Sequence, residues 1–245
     1  MRYRFLIEYL GTPFAGWQFQ EGVSTVQGEL EKALAIVLRE PVRIIGAGRT
    51  DAGVHAAGQV AHFDFHGEFE PRRLSHSLNA LTRPDICVRN LESCSPDFHA
   101  RYNAISRRYQ YRIALRPVAL LRDQSWAPGF PLDKEIFQSE LSSALGRRDF
   151  TNFSLPRNDG KSTQCDLLRA EVVQLGDFLL VTVEADRFLH KMVRSLVGAA
   201  YDAARGVHPP GLITSIFENR FQGERTWAPA HGLCLEKVTY PDGYG

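Results

Sequence analysis

The sequence predicts an α+β fold in which the order β-α-β-β-α-β occurs twice. Short runs of alternating apolar and polar residues indicate strands, and longer stretches with apolar residues at helical spacing indicate helices. Both kinds of element follow each other in the same order in the two halves of the chain. A chain of 245 residues can bury one large core or two smaller ones. We therefore expect two halves, residues 1–104 and 105–245, that share a plan but little sequence.

The first half begins with a strand, a loop and a capped helix. Residues 2–10 alternate loosely, which predicts a strand. Trp17 follows in a Gly/Pro-rich loop, where an aromatic residue more often packs than stacks on a base. The capping box at 24–27 starts a helix that runs to about residue 39, before Pro41. The other predicted elements are strands at 42–45, 59–65 and 86–91 and a helix at 71–81.

The second half repeats this order with one additional helix. Residues 107–115 alternate clearly, which places Arg107 and Tyr109 on one face of a strand and Arg108 on the other. Asn158-Asp159-Gly160 predicts a turn. The other predicted elements are strands at 163–173, 178–185 and 233–240 and helices at 133–145, 189–205 and 211–219.

A glycine-rich loop, residues 46–58, separates two strands of the first half and carries Arg49 and Asp51. A single aspartate in a turn is usually structural, because its side chain bonds to its own backbone. This loop, however, is far longer than the two-residue turn that joins many adjacent strands. Long ordered loops in compact domains are usually functional. Arg49 and Asp51 are therefore candidate site residues.

The cationic residues are clustered although the net charge is only +1. That net charge argues mildly against a general nucleic-acid binder. One cluster alone is typical of a solvated face, whereas several clusters that converge on one cleft would form a phosphate-binding surface. The clusters are Arg72-Arg73, Arg107-Arg108, Arg147-Arg148 and the group of Arg187, Lys191 and Arg194.

The sequence predicts neither a membrane span nor a metal site. It contains no apolar run of roughly 18 residues. The N-terminus leads directly into a strand pattern without signal-peptide features, so we expect a cytoplasmic protein. The cysteines form no CxxC pair and have no histidine at zinc-ligand spacing, so we expect reduced and mostly buried thiols; they are Cys87, Cys94, Cys165 and Cys234.

Six motifs resemble those of the tRNA pseudouridine synthase A family. The strongest is Gly48-Arg49-Thr50-Asp51-Ala52-Gly53-Val54-His55, which is similar to the family's catalytic motif. One difference is Leu10, where the family often has aspartate. The resemblance extends over nearly the whole chain; its other motifs lie at residues 14–18, 97–101, 108–111, 188–194 and 228–233.

The resemblance implies a fold, an activity and a set of site residues. It implies two ferredoxin-like halves whose sheets join around a basic central cleft. It also implies a homodimer that isomerises uridine to pseudouridine at positions 38, 39 and 40 of the anticodon stem-loop of tRNA. Asp51 corresponds to the family's catalytic aspartate, and the substrate-binding residues would be Tyr109, Arg49 and Arg194. Weaker RNA contacts are assigned to Trp17, Gln18, Arg101, Arg107, Arg108 and Lys191.

The implied reaction moves the ribose C1′ bond of uracil from N1 to C5 and needs no cofactor, because no electrons are exchanged. Asp51 could act as a covalent nucleophile on the base or on the sugar, stabilise an oxocarbenium-like ribose or take a proton from the ribose. Tyr109 could stack on the flipped base and assist removal of the C5 proton. Arg49 could fill the vacated stack or hold a phosphate, and Arg194 could keep Asp51 ionised.

Two other classes of function are weighed against this one. A glycoside hydrolase could also use Asp51, but it needs a second carboxylate, for which Asp64 and Asp97 are weaker candidates. A non-catalytic RNA-binding module on the same fold would be marked by loss of the aspartate, and Asp51 is present. The motif favours pseudouridine synthesis over both.

Overall fold

The computed structural model describes residues 1–156 and 160–243. The chain forms two compact units, one of residues 1–105 and the segment from 234 onward, the other of residues 106–233. The strands are β1 (Arg2–Tyr9), β2 (Ile45–Gly46), β3 (His55–Asp64), β4 (Ile86–Cys94), β5 (Ser106–Ala114), β6 (Gly146–Asp149), β7 (Gln164–Leu175), β8 (Phe178–Ala185) and β9 (Leu233–Thr239). The helices are α1 (Val26–Leu38), α2 (Pro71–Leu81), α3 (Lys134–Ser142), α4 (Met192–Ala204) and α5 (Leu212–Phe217).

The α+β class is confirmed, and the predicted strands and helices are found in the predicted order. One strand, β6, is absent from the sequence-based assignment. All its residues are exposed and three of the four are charged, so it shows neither alternation nor a β-branched run. It forms because it pairs antiparallel with β7, from Gly146 opposite Leu167 to Asp149 opposite Gln164. No helix in the described part of the chain is long and apolar enough to cross a membrane.

In the first unit the sheet has the order β4-β1-β3-β9, and β2 pairs with β3. β1 lies antiparallel between its neighbours, with Phe5 opposite Ala61 of β3 and Ile7 opposite Val88 of β4. β9 runs parallel to β3 and groups with this unit. The alternation that predicted β1 reflects burial of every second side chain, namely Tyr3, Phe5, Ile7 and Tyr9.

α1 starts at a different cap from the one that the sequence suggests. Thr25, not Ser24, is the N-cap, and its hydroxyl accepts a hydrogen bond from the Gly28 N–H at 3.2 Å. The Ser24 hydroxyl instead donates to the Glu29 carboxylate at 3.2 Å. α2 has the bounds that the sequence predicts.

The strand predicted at 42–45 is largely wrong, since pairing begins only at Ile45. Val42 and Ile44 are buried as expected, whereas Ile45 is 42% exposed. The backbone of Ile44 bonds to side chains. Its N–H donates to the Glu31 carboxylate at 3.0 Å, and its carbonyl accepts from the Gln27 amide at 3.2 Å. These bonds take the place of a strand ladder.

In the second unit the sheet has the order β5-β8-β7-β6 and is antiparallel throughout. α4 is buried along almost its whole length and forms the centre of this unit's core. It begins three residues later than predicted, because Lys191 adopts a left-handed conformation with φ of 63°. α3 ends at Ser142, three residues earlier than predicted. Of the turn predicted at 158–160, the first two residues lie outside the described residues.

Candidate active site

The glycine-rich loop is a closed turn between β2 and β3. β3 begins at His55, four residues earlier than predicted, so the loop is limited to residues 47–54. The Val54 N–H donates to the Asp51 carbonyl at 3.1 Å, and Gly53 within this turn has φ of 78°. A turn with positive φ at its third residue favours glycine there. The turn therefore places Asp51 at its first residue.

Hydrogen bonds hold this loop against the segment that follows β1. The Trp17 N–H donates to the Thr50 carbonyl at 3.1 Å. The Tyr9 hydroxyl and Thr50 Oγ1 are hydrogen-bonded at 2.8 Å. At the end of the loop, the Gly11 N–H donates to His55 Nδ1 at 2.9 Å. Sequence reasoning missed these supporting residues, although Thr50 and His55 lie within the motif itself.

Close approach of the two segments requires glycine at position 16. Gly16 has φ of 94°, and a Cβ there would lie 2.7 Å from the Thr50 carbonyl oxygen. Trp17, the next residue, is only 2% exposed and packs against Tyr9 with ring centroids 6.1 Å apart. Of the two roles weighed for Trp17, burial favours packing beneath the loop.

Arg49 and Asp51 flank the buried Thr50 and are both more accessible than it. Arg49 is exposed and Asp51 is half-buried. Within the described residues, the side chain of Arg49 makes no ion pair or hydrogen bond. The loop therefore presents a guanidinium and a carboxylate, two residues apart, on an anchored backbone.

A cavity of about 360 Å³ lies beside the loop, within the first unit. Its lining includes Arg49 and three of the predicted RNA-contact residues, Trp17, Gln18 and Arg101. The structure thus brings together four predicted site residues that are up to 84 positions apart in the sequence (from Trp17 to Arg101). Asp51 belongs to the same loop but is not among the described residues that line this cavity.

Tyr109 and Tyr111, two residues apart on β5, have different surroundings. Tyr111 is fully buried, its hydroxyl donates to the Pro229 carbonyl at 2.8 Å, and burial raises its pKa. Tyr109 is 8% exposed and packs edge-on against Phe188, with ring centroids 5.2 Å apart. Sequence reasoning did not single out Phe188, although it begins the matched segment 188–194.

Arg107 and Arg108 lie on opposite faces of β5, as the alternation predicts. Arg108 forms an ion pair with Glu184 at 2.8 Å, so its charge is balanced within the unit. Burial by itself would raise the pKa of Glu184, but hydrogen bonds from Ser106 and Arg108 outweigh it and lower that pKa. The Arg107 guanidinium donates to the Asp186 carbonyl at 2.9 Å.

Arg194 is half-buried near the start of α4 and is tied to another matched motif. Its Nε donates to the Ala228 carbonyl at 2.7 Å, and the Ala228 N–H donates to the Arg194 carbonyl at 3.1 Å. Lys191 is half-buried at the N-cap of the same helix. Arg194 and Asp51 belong to different units, and the ion pair expected between them stays a prediction.

Within the described residues, no group of three or more His, Cys, Asp and Glu side chains could hold a metal ion. The cysteines in this part of the chain form no disulfide. The expectation that most of them are buried is wrong, because among these four only Cys165 is buried, Cys94 and Cys234 are half-buried and Cys87 is exposed. Burial raises the pKa of Cys94, which makes its thiol less reactive than an exposed one.

Comparison with known proteins identifies relatives along the whole chain. The family model described as tRNA pseudouridine synthase matches residues 6–103 and 142–241. A tRNA pseudouridine synthase A from Hyphomonas neptunium is 41% identical, covering 99% of each chain. One from Chlorobium luteolum is 39% identical, covering 99% of this chain and 96% of its own. The solved structure of an H/ACA RNP bound to a substrate RNA containing 2′-deoxyuridine matches with a TM-score of 0.40 and 13% identity, over 82% of this chain and 43% of that chain.

Proposed function

The chain belongs to the tRNA pseudouridine synthase family, and from this membership we propose that it isomerises uridine to pseudouridine in tRNA. The position of Asp51 is the observation that supports this chemistry. Its carboxylate stands at the first residue of a closed turn whose neighbours are anchored by hydrogen bonds. Catalytic groups need such support, because small displacements from the productive geometry reduce the rate strongly.

The chemistry requires a carboxylate and no redox partner. The bond between ribose C1′ and uracil N1 breaks, the base turns, and C1′ forms a bond to C5. The C5 proton leaves and N1 gains a proton, so atoms and electrons balance. Asp51 acts as a covalent nucleophile, by stabilising the cationic ribose or by taking a proton from the ribose.

The remaining assignments follow from the family resemblance. We place the target uridines at positions 38, 39 and 40 of the anticodon stem-loop, and we expect a cytoplasmic homodimer. Extrusion of a uridine from its stack requires a few kcal/mol. Arg49 supports this step, because its exposed guanidinium lies two residues from Asp51 and can stack or bind a phosphate. Tyr109 would stack on the extruded base, and Arg194 would keep Asp51 ionised.

The geometry argues against the glycoside hydrolase. That enzyme needs a second carboxyl group whose raised pKa lets it act as a general acid. Asp64 accepts two hydrogen bonds of 2.8 Å from the Arg2 guanidinium, and these lower the pKa of Asp64. It is therefore held in the charged form. Asp97, the other candidate, is exposed in the segment after β4.

The test is release of tritium from C5 of labelled uridine in tRNA. We expect Asp51→Asn to abolish release while tRNA affinity stays within a few-fold of wild type, because one carboxylate contributes chemistry and little binding. Asp97→Asn, at an exposed aspartate of the same unit, is the control and should leave release unchanged. Release near the wild-type rate from Asp51→Asn would contradict the proposed function. An equal loss of binding would make Asp51 a structural residue.

A further inference from the structure

The cavity beside the loop combines an apolar floor with a cationic rim. Trp17 and Ile44 lie almost fully buried beneath it, and Ile45, which is 42% exposed, is the apolar side chain that its floor leaves accessible. Arg43, Arg49 and Arg101 are exposed, so they form its rim, and the charge of Arg43 is balanced by an ion pair with Glu31 at 3.0 Å. No acidic side chain is among the described residues that line it. A site of this composition suits a ligand with a flat apolar part and an anionic part.

Gln27 fixes the orientation of the Gln18 side chain, which is the polar group at the edge of the cavity. Gln27 is buried, and its amide donates to the Glu31 carboxylate at 2.8 Å and to the Ile44 carbonyl at 3.2 Å. Its Oε1 accepts from the Gln18 amide at 2.8 Å and from the Phe19 N–H at 2.9 Å. A carboxylate can only accept, so the direction of this chain of hydrogen bonds is set by Glu31.

Gln18 is therefore held in one orientation at the edge of the cavity. One N–H of its side chain is used by Gln27, and within the described residues its Oε1 makes no hydrogen bond. It thus offers a ligand one acceptor and one donor side by side. Each nucleobase carries a donor next to an acceptor on its edge, and an amide can pair with such an edge.

We propose that this cavity binds one unpaired nucleotide of the RNA substrate, different from the uridine that reaches Asp51. The base lies on the floor with its edge toward Gln18, and its phosphate lies at the arginine rim. The cavity volume of about 360 Å³ lies at the lower end of the range of small-ligand sites, which suits a single nucleotide. This inference rests on the proposed function, because it takes tRNA as the ligand.

The cavity and the reacting carboxylate are close but separate. Arg49 lines the cavity, and Asp51 is two residues along the same loop, a span of at most about 7 Å of backbone. A nucleotide in the cavity is therefore near the target uridine along the RNA strand. Binding it in this position would hold the strand while the target base is extruded.

The experiment measures equilibrium binding of stem-loop RNAs in which each unpaired nucleotide in turn is replaced by an abasic one. We expect one abasic position to weaken binding to the wild-type protein about ten-fold, the size of the contribution of one stacked base. Gln18→Ala should weaken binding of the intact RNA by a similar factor. In the Gln18→Ala protein, the same abasic RNA should bind no more than about two-fold more weakly than the intact RNA, because both changes remove the same interaction.

Two further variants make the result specific. Gln20→Ala changes a nearby exposed glutamine that does not line the cavity and should behave as wild type. Arg101→Ala changes an exposed rim residue and should reduce affinity for the intact RNA even if Gln18→Ala fails to fold. An abasic substitution retains the phosphate, so dependence on a base separates a nucleotide site from a site for phosphate alone.

The inference is overturned if no abasic position weakens binding. It is also overturned if the abasic position that weakens binding does so by the same factor in the wild-type and Gln18→Ala proteins. Because the measured quantity is binding and not product, the outcome does not depend on whether the proposed reaction takes place. If the effects of the abasic position and of Gln18→Ala are not additive but the wild-type protein releases no C5 hydrogen, the cavity's role is retained and the proposed reaction is rejected. If the C5 hydrogen is released normally but the two effects are additive, only the cavity's role is rejected.

Discussion

At the scale of single residues, Thr50 determines how the loop presents its reactive neighbours. Its carbonyl accepts from the Trp17 N–H and its hydroxyl is bonded to Tyr9, so Thr50 is held inward. Arg49 and Asp51, on either side, remain accessible. The position of the Asp51 carboxylate therefore depends on Tyr9, which acts through Thr50 and not through the substrate.

Tyr9→Phe tests this dependence. Removing the hydroxyl leaves the buried Thr50 side chain without this partner and should lower the free energy of unfolding by about 1–3 kcal/mol. Turnover should also fall, because the loop loses an anchor. Unfolding in urea and C5-hydrogen release measure the two effects. Tyr3→Phe, on the same face of β1, is the control, and an equal change in both variants would show that the anchor is unimportant.

Tyr109→Phe separates the hydroxyl of Tyr109 from its ring. If the hydroxyl assists removal of the C5 proton, turnover should fall at least about ten-fold while tRNA binding is nearly unchanged. Single-turnover release and equilibrium binding distinguish these effects. Unchanged turnover would limit Tyr109 to stacking, and Tyr109→Ala should then reduce binding or transition-state stabilisation by roughly 1–3 kcal/mol.

At the scale of elements, the segment between β1 and α1 and the loop between β2 and β3 lie in direct backbone contact. The Ala15 and Trp17 N–H groups bond to Ser24 and Thr50, and the Val26 N–H bonds to Gly16. The start of α1 and the turn that carries Asp51 are therefore positioned by the same short segment. A side chain inserted there would move the turn.

Gly16→Ala should destabilise the protein more than Gly22→Ala. Both glycines have positive φ, 94° and 80°, so alanine is strained at either position by about 1–2 kcal/mol. Only at Gly16 does the new Cβ meet a backbone atom, the Thr50 carbonyl oxygen at 2.7 Å, whereas Gly22 has open space. Chemical denaturation should show an additional loss of about 1–3 kcal/mol for Gly16→Ala. Equal losses would mean that the loop moves aside without cost.

At the scale of the whole molecule, His62 links the stability of the chain to pH. It is 1% exposed on β3, and its Nδ1 accepts from the Ala100 N–H at 3.2 Å. Burial, with a smaller contribution from the Arg2 charge, lowers its pKa from 6.5 to about 4. The folded protein therefore holds this imidazole neutral in a range where the unfolded chain protonates it.

The protein should consequently lose stability on acidification. Because the folded-state pKa of His62 is below its unfolded value, its stabilising contribution is complete above about pH 6.5 and disappears as the pH falls to about 4. The difference amounts to about 3 kcal/mol. Urea unfolding at several pH values should show a flatter dependence for His62→Gln than for wild type. His66→Gln, at an exposed histidine, is the control, and identical curves for wild type and His62→Gln would refute the assignment.

RNA binding should depend strongly on salt although the net charge is only +1. If clustered arginines contact phosphates, log K should fall with log salt with a slope of several units. Arg107→Gln should reduce that slope by about one. Arg116→Gln, which removes an exposed arginine paired with Asp177 at 2.7 Å, should leave it unchanged. A flat salt response in the wild-type protein would exclude phosphate contacts as the main source of affinity.

By itself the sequence determined the α+β class, the bounds of α2 and β8 and the candidacy of Asp51. Those features depend on residues that are neighbours in the chain, because the periodicity of burial and the spacing of a motif are local. Capping was the local signal that misled, since two adjacent hydroxyl residues, Ser24 and Thr25, could each serve as N-cap.

Only the tertiary structure decided the features that depend on distant partners. β6 exists because β7 offers an edge, and residues 42–44 form no strand because Gln27 and Glu31 bond the backbone of Ile44. The cavity likewise joins Trp17 to Arg101, which no local pattern relates. Hydrogen bonding and burial between distant segments compete with local preference, and at these positions they outweigh it.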